Sequence, residues 1–244
     1  MAPNPAKRQT AVGTLDRAVA ILDSVEGGVH RLGQIAEATG LPHPTAHRLV
    51  HALEGHGFLA RYPGLGYRLG PRLLRLASEA MRELPLRDAA HPILEHLAKV
   101  TGETAQLYVR SGDARVCIDA VESANELRTI VGIGAALPLH AGSAAKVFLA
   151  FSSADPALII HKAGDPERFA REVALARVRG WASSAGERQA GVGSVSAPIL
   201  GAYDILLGVI SISGPSSRMG RISARRYAPA VVDAAERIER ALGG

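Results

Sequence analysis

The chain of 244 residues has a single cysteine, Cys117. That excludes an intrachain disulfide and any metal site built on several thiolates. Set between Val116 and Ile118, Cys117 reads as a buried thiol on a strand. No apolar run approaches the ~18 residues that a membrane span needs. The N-terminal stretch Pro3-Asn4-Pro5-Ala6-Lys7-Arg8-Gln9 is polar and unlike a signal peptide, so no membrane partner and a cytoplasmic location are expected. Internal repeats and low-complexity tracts are also missing. Gly132-x-Gly134 and Gly191-x-Gly193 lack the strand–loop–helix context of a dinucleotide loop. No cofactor is expected.

What is present is a mild and uneven positive charge. The net charge is +5, and residues 1–80 hold nine Lys and Arg against six Asp and Glu. The same 80 residues carry five of the nine histidines. A basic N-terminal third fits a polyanionic partner, although a plain basic surface has the same count.

Leu32 to Glu54 explains the bias. Leu32, Ile35 and Ala36 mark one face of a short helix. Gly40 can take positive φ and end it, and Leu41 can plug the gap to the next helix. Pro42, His43 and Pro44 suit a helix first turn, where a missing N–H costs little. A second apolar stripe follows at Ala46, Leu49, Val50 and Leu53. Two short helices joined by a glycine turn form a helix-turn-helix pattern. The polar face of the second helix offers Thr45, His47, Arg48 and His51 to phosphates and base edges.

The flanks extend the pattern. Residues 1–12 read as a flexible arm, with Lys7 and Arg8 able to touch a DNA backbone. Thr14 is the expected N-cap of a helix bearing Leu15, Ala18, Val19, Leu22 and Val25. Phe58–Tyr62 and Tyr67–Leu69 bracket Pro63-Gly64-Leu65-Gly66 as a hairpin, the wing of a winged helix, with Arg61 and Arg68 on its arms. A helix from Pro71 to Leu84 is apolar over more than one face and reads as a linker that packs on both domains or on a second subunit. Pro85 ends it. In the next helical stretch, Leu86–Val100, Pro92 implies a kink or a late start.

From Thr104 strands dominate. Gln106–Val109 and Val116–Val121 flank a Ser111-Gly112-Asp113 turn. Leu127–Val131 is expected as a strand, Ala144–Phe151 as a small-residue helix, Pro166–Arg179 as an amphipathic helix and Trp181–Ser183 as strand-like. Ser194–Ile199 and Ile205–Ser213 pair across Gly201–Asp204, and Ile222–Leu242 closes the chain as a helix. Helices and antiparallel hairpins about one sheet make an α+β domain. The domains expected are a winged helix over 13–70, a linker helix over 71–85 and a second domain over 86–244.

Two other constellations compete. Ser143-Ala144-Ala145-Lys146 matches Ser-x-x-Lys, where a lysine activates a serine nucleophile. The accompanying elements are out of order: Ser123-Ala124-Asn125 precedes it, and Lys162-Ala163-Gly164 lacks the hydroxyl. His43, His47 and His51 recur at i, i+4 and i+8, a spacing open to metal, but only Glu54 lies nearby. Neither catalysis nor a metal site is expected.

Six segments in order resemble the IclR family of bacterial transcriptional regulators. They are Thr45-Ala46-His47-Arg48-Leu49, Tyr67-Arg68-Leu69-Gly70 and Thr101-Gly102-Glu103-Thr104, then the run Leu137-Pro138-Leu139-His140-Ala141-Gly142-Ser143-Ala144-Ala145-Lys146. Ser194-Val195-Ser196-Ala197-Pro198 and Ile210-Ser211-Ile212-Ser213-Gly214-Pro215 complete the set. The resemblance runs from about residue 12 to the end. It implies an N-terminal winged helix, a linker helix and a C-terminal GAF-like effector domain. It further implies a homodimer or homotetramer on a pseudo-palindromic operator of double-stranded DNA, and a small organic metabolite as effector. His43, Pro44, Thr45, His47 and Arg48 would meet the DNA, with Arg61 and Arg68 of the wing. Carried over by position, the effector pocket would use Ser143, Ala144, Glu187, Ser194, Ser211 and Ser213. Some members that bind small acids carry Asp and Cys where this chain has Glu187 and Ser194. The ligands of those members therefore do not transfer. Effector binding would bias the placement of two DNA-reading heads through the Pro71–Leu84 helix, an allosteric coupling.

Overall fold

A computed structural model describes residues 12–82, 84–153 and 155–243. Residues 1–11, with Lys7 and Arg8 of the expected arm, lie outside the described residues. The chain divides into two compact units, Met1–Glu83 and Leu84–Gly244.

The first unit holds α1 (Gly13–Glu26), α2 (Leu32–Thr39), α3 (His43–Gly55), the strands β1 (Leu59–Tyr62) and β2 (Gly66–Leu69), and α4 (Pro71–Arg82). Ile21, Val25, Ile35, Val50, Leu53, Leu59 and Tyr67 form its core. α1 and α3 contribute at helical spacing and α2 adds Ile35, so burial rather than intrinsic propensity holds these three short helices. Gly40 stands at φ 66° and closes α2 with its amide on Glu37 O. Leu41 packs against the core from the turn. The hairpin is antiparallel, with Tyr62 opposite Gly66. Near its turn, β2 is tied to the α1–α2 loop, where Tyr67 N donates to His30 O at 2.8 Å. Gly66 allows that approach: a Cβ there would stand 2.2 Å from His30 O.

Two local expectations change in this unit. Thr14 does not cap α1. Val12 does, because the amides of Leu15 and Asp16 already reach Val12 O at 2.9 and 3.3 Å. Pro85, expected to end the linker helix, is the first residue of the next helix, Pro85–Thr101.

The second unit is built on α5 (Pro85–Thr101), β3 (Thr104–Ser111), β4 (Ala114–Val121), β5 (Ala136–Pro138), α6 (Ser143–Ala150), α7 (Ala157–Ile160), α8 (Pro166–Arg179), β6 (Ala182–Ala185), β7 (Val192–Leu200), β8 (Leu206–Pro215), α9 (Ser216–Met219) and α10 (Arg221–Ala241). The six strands form one antiparallel sheet in the order β5-β4-β3-β8-β7-β6. Side chains alternate between its faces. Leu107, Val195, Ala197, Ile199, Ile210 and Ile212 pack with Leu94 and Leu97 of α5 and Val231 and Ile238 of α10. Tyr108, Cys117 and Val209 face the other way, among Ala145, Phe148 and Leu149 of α6 and Phe169 and Val173 of α8. Burying each large apolar side chain contributes about 1.5–3 kcal/mol. Two such layers hold the sheet between helices in the α+β arrangement expected.

Leu127–Val131 is not a strand. The free edge of β4 is already taken: Ala114–Val116 pair with β5, and Cys117 N donates to Ala135 O at 3.0 Å. The alternating apolar residues serve a loop, with Val131 turned to the core while Leu127 and Ile130 stay exposed. Pro92 does not mark a late start, since α5 begins at Pro85 and includes it. Pro92 lies on the exposed side, where water can satisfy the carbonyl its missing N–H leaves.

Candidate functional site

In the first unit, α3 separates its faces cleanly. Ala46 and Val50 are fully buried, whereas His43, Pro44, His47, Arg48 and His51 are exposed and Thr45 is half-buried. Pro42 caps the helix with Pro44 inside the first turn, and the Thr45 and Ala46 amides donate to Pro42 O, which leaves His43 the free N–H of the first turn. The aligned peptide dipoles make that end attractive to phosphate. The histidine row is engaged within the helix: the rings of His47 and His51 are 4.4 Å apart, and His51 Nδ1 lies 3.3 Å from a Glu54 carboxylate oxygen. On the wing, Arg61 is exposed with its guanidinium 6.0 Å from the Tyr67 ring. Arg68 folds back and donates to Leu65 O at 2.7 Å and Tyr67 O at 3.0 Å. It therefore holds the turn of the wing in shape, a role its position in the sequence did not reveal.

In the second unit a cavity of about 30 Å³ opens between the start of α6 and the strands β3, β4, β7 and β8. Of the residues expected there, Ser143, Ala144, Ser194, Ser211 and Ser213 line it. They are brought together by register: Ser194 stands opposite Ser213, and Ser196 opposite Ser211, across the β7–β8 ladder. Their hydroxyls form a chain. Ser184 Oγ is 3.0 Å from Ser194 Oγ, which is 2.6 Å from Ser143 Oγ. Ser143 Oγ lies 2.7 Å from Ser196 Oγ, which donates to Ser211 Oγ at 2.8 Å. Ser213 accepts from Gln106 Nε2 at 2.7 Å. The buried hydroxyls are satisfied within the protein, as burial requires. Ser196 is the centre of the chain and was missed, although its two-residue spacing from Ser194 puts both on one face.

Glu187 takes a different place. It does not line the cavity. One carboxylate oxygen accepts from Gly142 N at 3.2 Å at the head of α6, and the other accepts from Lys146 Nζ at 2.5 Å. Lys146 is fully buried and also donates to Glu172 and, at 2.9 Å, to Ser183 O. Burial raises the pKa of Glu172, but Lys146 and Arg168 outweigh it and hold the carboxyl below its usual value. This network fixes the N-terminus of α6, so Glu187 is a positioning residue. Lys146 Nζ is thus committed to Glu172, Glu187 and Ser183 O, and Ser143 Oγ to Ser194 and Ser196, which is not the Ser–Lys pairing that the serine-nucleophile alternative needs.

The next residue, Arg188, does line the cavity, as do Arg115 and Tyr108. Arg115 is 3% exposed. Its Nη1 donates to Pro138 O and, at 3.1 Å, to Ala141 O, and its guanidinium carbon lies 5.6 Å from the Tyr108 ring centre. Burial lowers its pKa to about 10; Tyr108 opposes that shift and Arg188 adds to it. The group is still a cation at neutral pH. Gly142, at φ 96°, passes close by: a Cβ there would stand 3.1 Å from Arg115 Nη2. Tyr108, Arg115 and Arg188 did not stand out in the sequence, where each is an isolated polar residue on a strand or loop, and Lys146 stood out only as the lysine of Ser-x-x-Lys. On β4, the alternation that buries Cys117 also turns Arg115 to the cavity face, the one signal that could have marked it.

Comparison with known proteins places both units. The IclR helix-turn-helix domain matches residues 14–63, and the bacterial transcriptional regulator IclR C-terminal domain matches residues 78–240. The transcriptional repressor IclR of Escherichia coli is 30% identical over 271 aligned positions, covering 100% of this chain and 99% of the repressor. A solved IclR transcriptional regulator from Silicibacter sp. TM1040 superposes with a TM-score of 0.84 at 27% identity, covering 95% of this chain and 97% of its own. An IclR homologue from Microbacterium hydrocarbonoxydans, solved with 4-hydroxybenzoate, superposes at 0.76 and 24% identity, covering 94% and 99%.

Proposed function

This chain belongs to the IclR family of bacterial transcriptional regulators, and on that basis we propose that it binds a pseudo-palindromic operator as a homodimer or homotetramer and releases or engages it in response to a small organic metabolite. Regulators of this family bind DNA and are not enzymes.

The observation that carries the reading is the pairing, in one chain, of an exposed polar helix face with an enclosed polar cavity. Thr45, His47 and Arg48 would enter the major groove, with His43 and Pro44 at the helix start and Arg61 on the wing beside the backbone. Arg68 supports the wing tip and reaches a phosphate from it. Self-association is supported by apolar side chains left in water on the first unit. Leu15 and Val19 lie one helical turn apart on α1, and Leu74 and Leu76 project from α4. Ser143, Ala144, Ser194, Ser211 and Ser213 form the effector site, with Glu187 behind it. The Microbacterium relative supports such a site, since a chain of the same fold was solved with a small organic molecule.

Electrophoretic retardation of DNA from upstream of the chain's own gene, repeated across a salt series, tests this. The expected result is a retarded species whose log affinity falls linearly with log salt, and a footprint of two half-sites. A chain that retards no such DNA, or a footprint of one isolated half-site, overturns the operator reading.

A further inference from the structure

The charges around the cavity do not balance. Arg115 and Arg188 line it with Tyr108, Gln189 and serines, and no lining residue is acidic. The nearest acid in sequence, Glu187, is occupied by Lys146 and the Gly142 amide. Arg115 is the sharper case. Its Nη1 edge is satisfied by two carbonyls, whereas its Nε is buried and has no hydrogen-bond partner among the described residues. A guanidinium withdrawn from water with one donor unmet is costly unless a counter-charge completes it. The Tyr108 ring beneath it offsets only part of that cost. The Nε–Nη2 edge is the side of a guanidinium whose parallel N–H groups fit a carboxylate in bidentate fashion. Arg188, half-buried on the loop between β6 and β7, adds a second cation at the same cavity.

Taking the cavity as the effector site, we propose that the effector is a small dianionic acid, with one carboxylate on the Nε–Nη2 edge of Arg115 and its second acidic group on Arg188. The serine hydroxyls around Ser143 and Ser194 take its remaining oxygens. A neutral polyol or amide can accept from that edge but brings no counter-charge and no bidentate pair of oxygens, and is disfavoured for that reason. At about 30 Å³ the cavity holds little more than a water-sized group. The acid therefore needs a wider opening, and the exposed Gln189 and half-buried Arg188 on the loop between β6 and β7 are the side chains taken to move.

The test uses the full-length protein with arginine labelled in ¹⁵N. Malonate, succinate and glutarate are titrated at constant ionic strength, each beside its monoamide and its diamide. The Arg115 Nε–H signal is assigned by its loss in Arg115→Gln. At least one diacid is expected to move that signal saturably and to bind roughly tenfold tighter than its monoamide, while the diamides leave it unmoved. Arg188→Gln, a change on a surface loop, should abolish the diacid preference and retain monoacid binding. If no diacid moves the signal, or diamides move it equally, the inference fails. If monoamides match the diacids, the second acidic group is wrong. The effector reading fails separately: a diacid that saturates Arg115 without altering operator affinity leaves the anion site standing and removes its role as a switch.

Discussion

The two units use polar residues in opposite ways. In the first, the polar groups that matter stand in water on α3 and the wing, outside an apolar core that is complete without them. In the second, they are buried and bound to one another: a chain of serine hydroxyls, a lysine between two glutamates, an arginine over an aromatic ring. An interface can lose a side chain without its fold noticing. A pocket cut from the core cannot, because each polar group there is some other group's partner. Function and stability should therefore separate in the first unit and move together in the second.

The largest effect that checks this contrast is at Lys146. Lys146→Met leaves Glu172 and Glu187 facing each other without their cation. Removing one partner of a buried pair costs about 3–5 kcal/mol, and since a fifth of each glutamate remains exposed the lower end applies. Urea unfolding of the full chain should show that loss, and an unchanged midpoint would erase the distinction between the units. Next comes Arg48→Ala. It should weaken operator retardation by about 1–3 kcal/mol with no shift of the melting temperature. A matching loss of stability would mean that α3 is not the separable surface its burial pattern describes.

The smallest effect is one of pH. Glu172 has a folded-state pKa held below its usual value by Lys146 and Arg168. A depressed carboxylate contributes stability above its unfolded pKa, near 4.3, and that contribution disappears as pH falls through the folded value. Wild type should therefore lose its advantage over Glu172→Gln between roughly pH 5 and 3, as read by paired melting curves. Curves that stay parallel through that window would show that the salt bridge is not felt in the folded state.

The same contrast governs how much the chain discloses in one dimension. The first unit was legible because local rules build it. Apolar spacing marks α2 and α3, Gly40 ends a helix with positive φ, and Pro63-Gly64 turns the wing. The strands of the second unit were mostly legible too, through alternation, apart from Leu127–Val131, whose edge β5 had already taken. The cavity was legible only by half. Its serines announce themselves by two-residue spacing within motifs that resemble a known family. Arg115 owes its place to carbonyls 23 and 26 residues away, and Lys146 to carboxylates 26 and 41 residues away. No local pattern encodes such partnerships. The family resemblance pointed to Glu187, whose carboxylate is held by Gly142 N and Lys146 Nζ, while its neighbour Arg188 lines the cavity.

On β7 and β8, residues that build the core alternate one by one with residues that meet the cavity. Ser194, Ser211 and Ser213 line it, so an exchange there that keeps a hydrogen-bonding group in the hydroxyl chain retunes the cavity at a modest cost in stability and leaves Val195, Ala197, Ile210 and Ile212 in place. Ligand preference can thus drift along a lineage by point substitution while the scaffold is inherited unchanged. An insertion or deletion of one residue in either strand has no such freedom, because it sends the aliphatic row into the cavity and the hydroxyls against the helices. New specificities in this architecture should arise by exchange within these strands, and changes of length should gather in the loops.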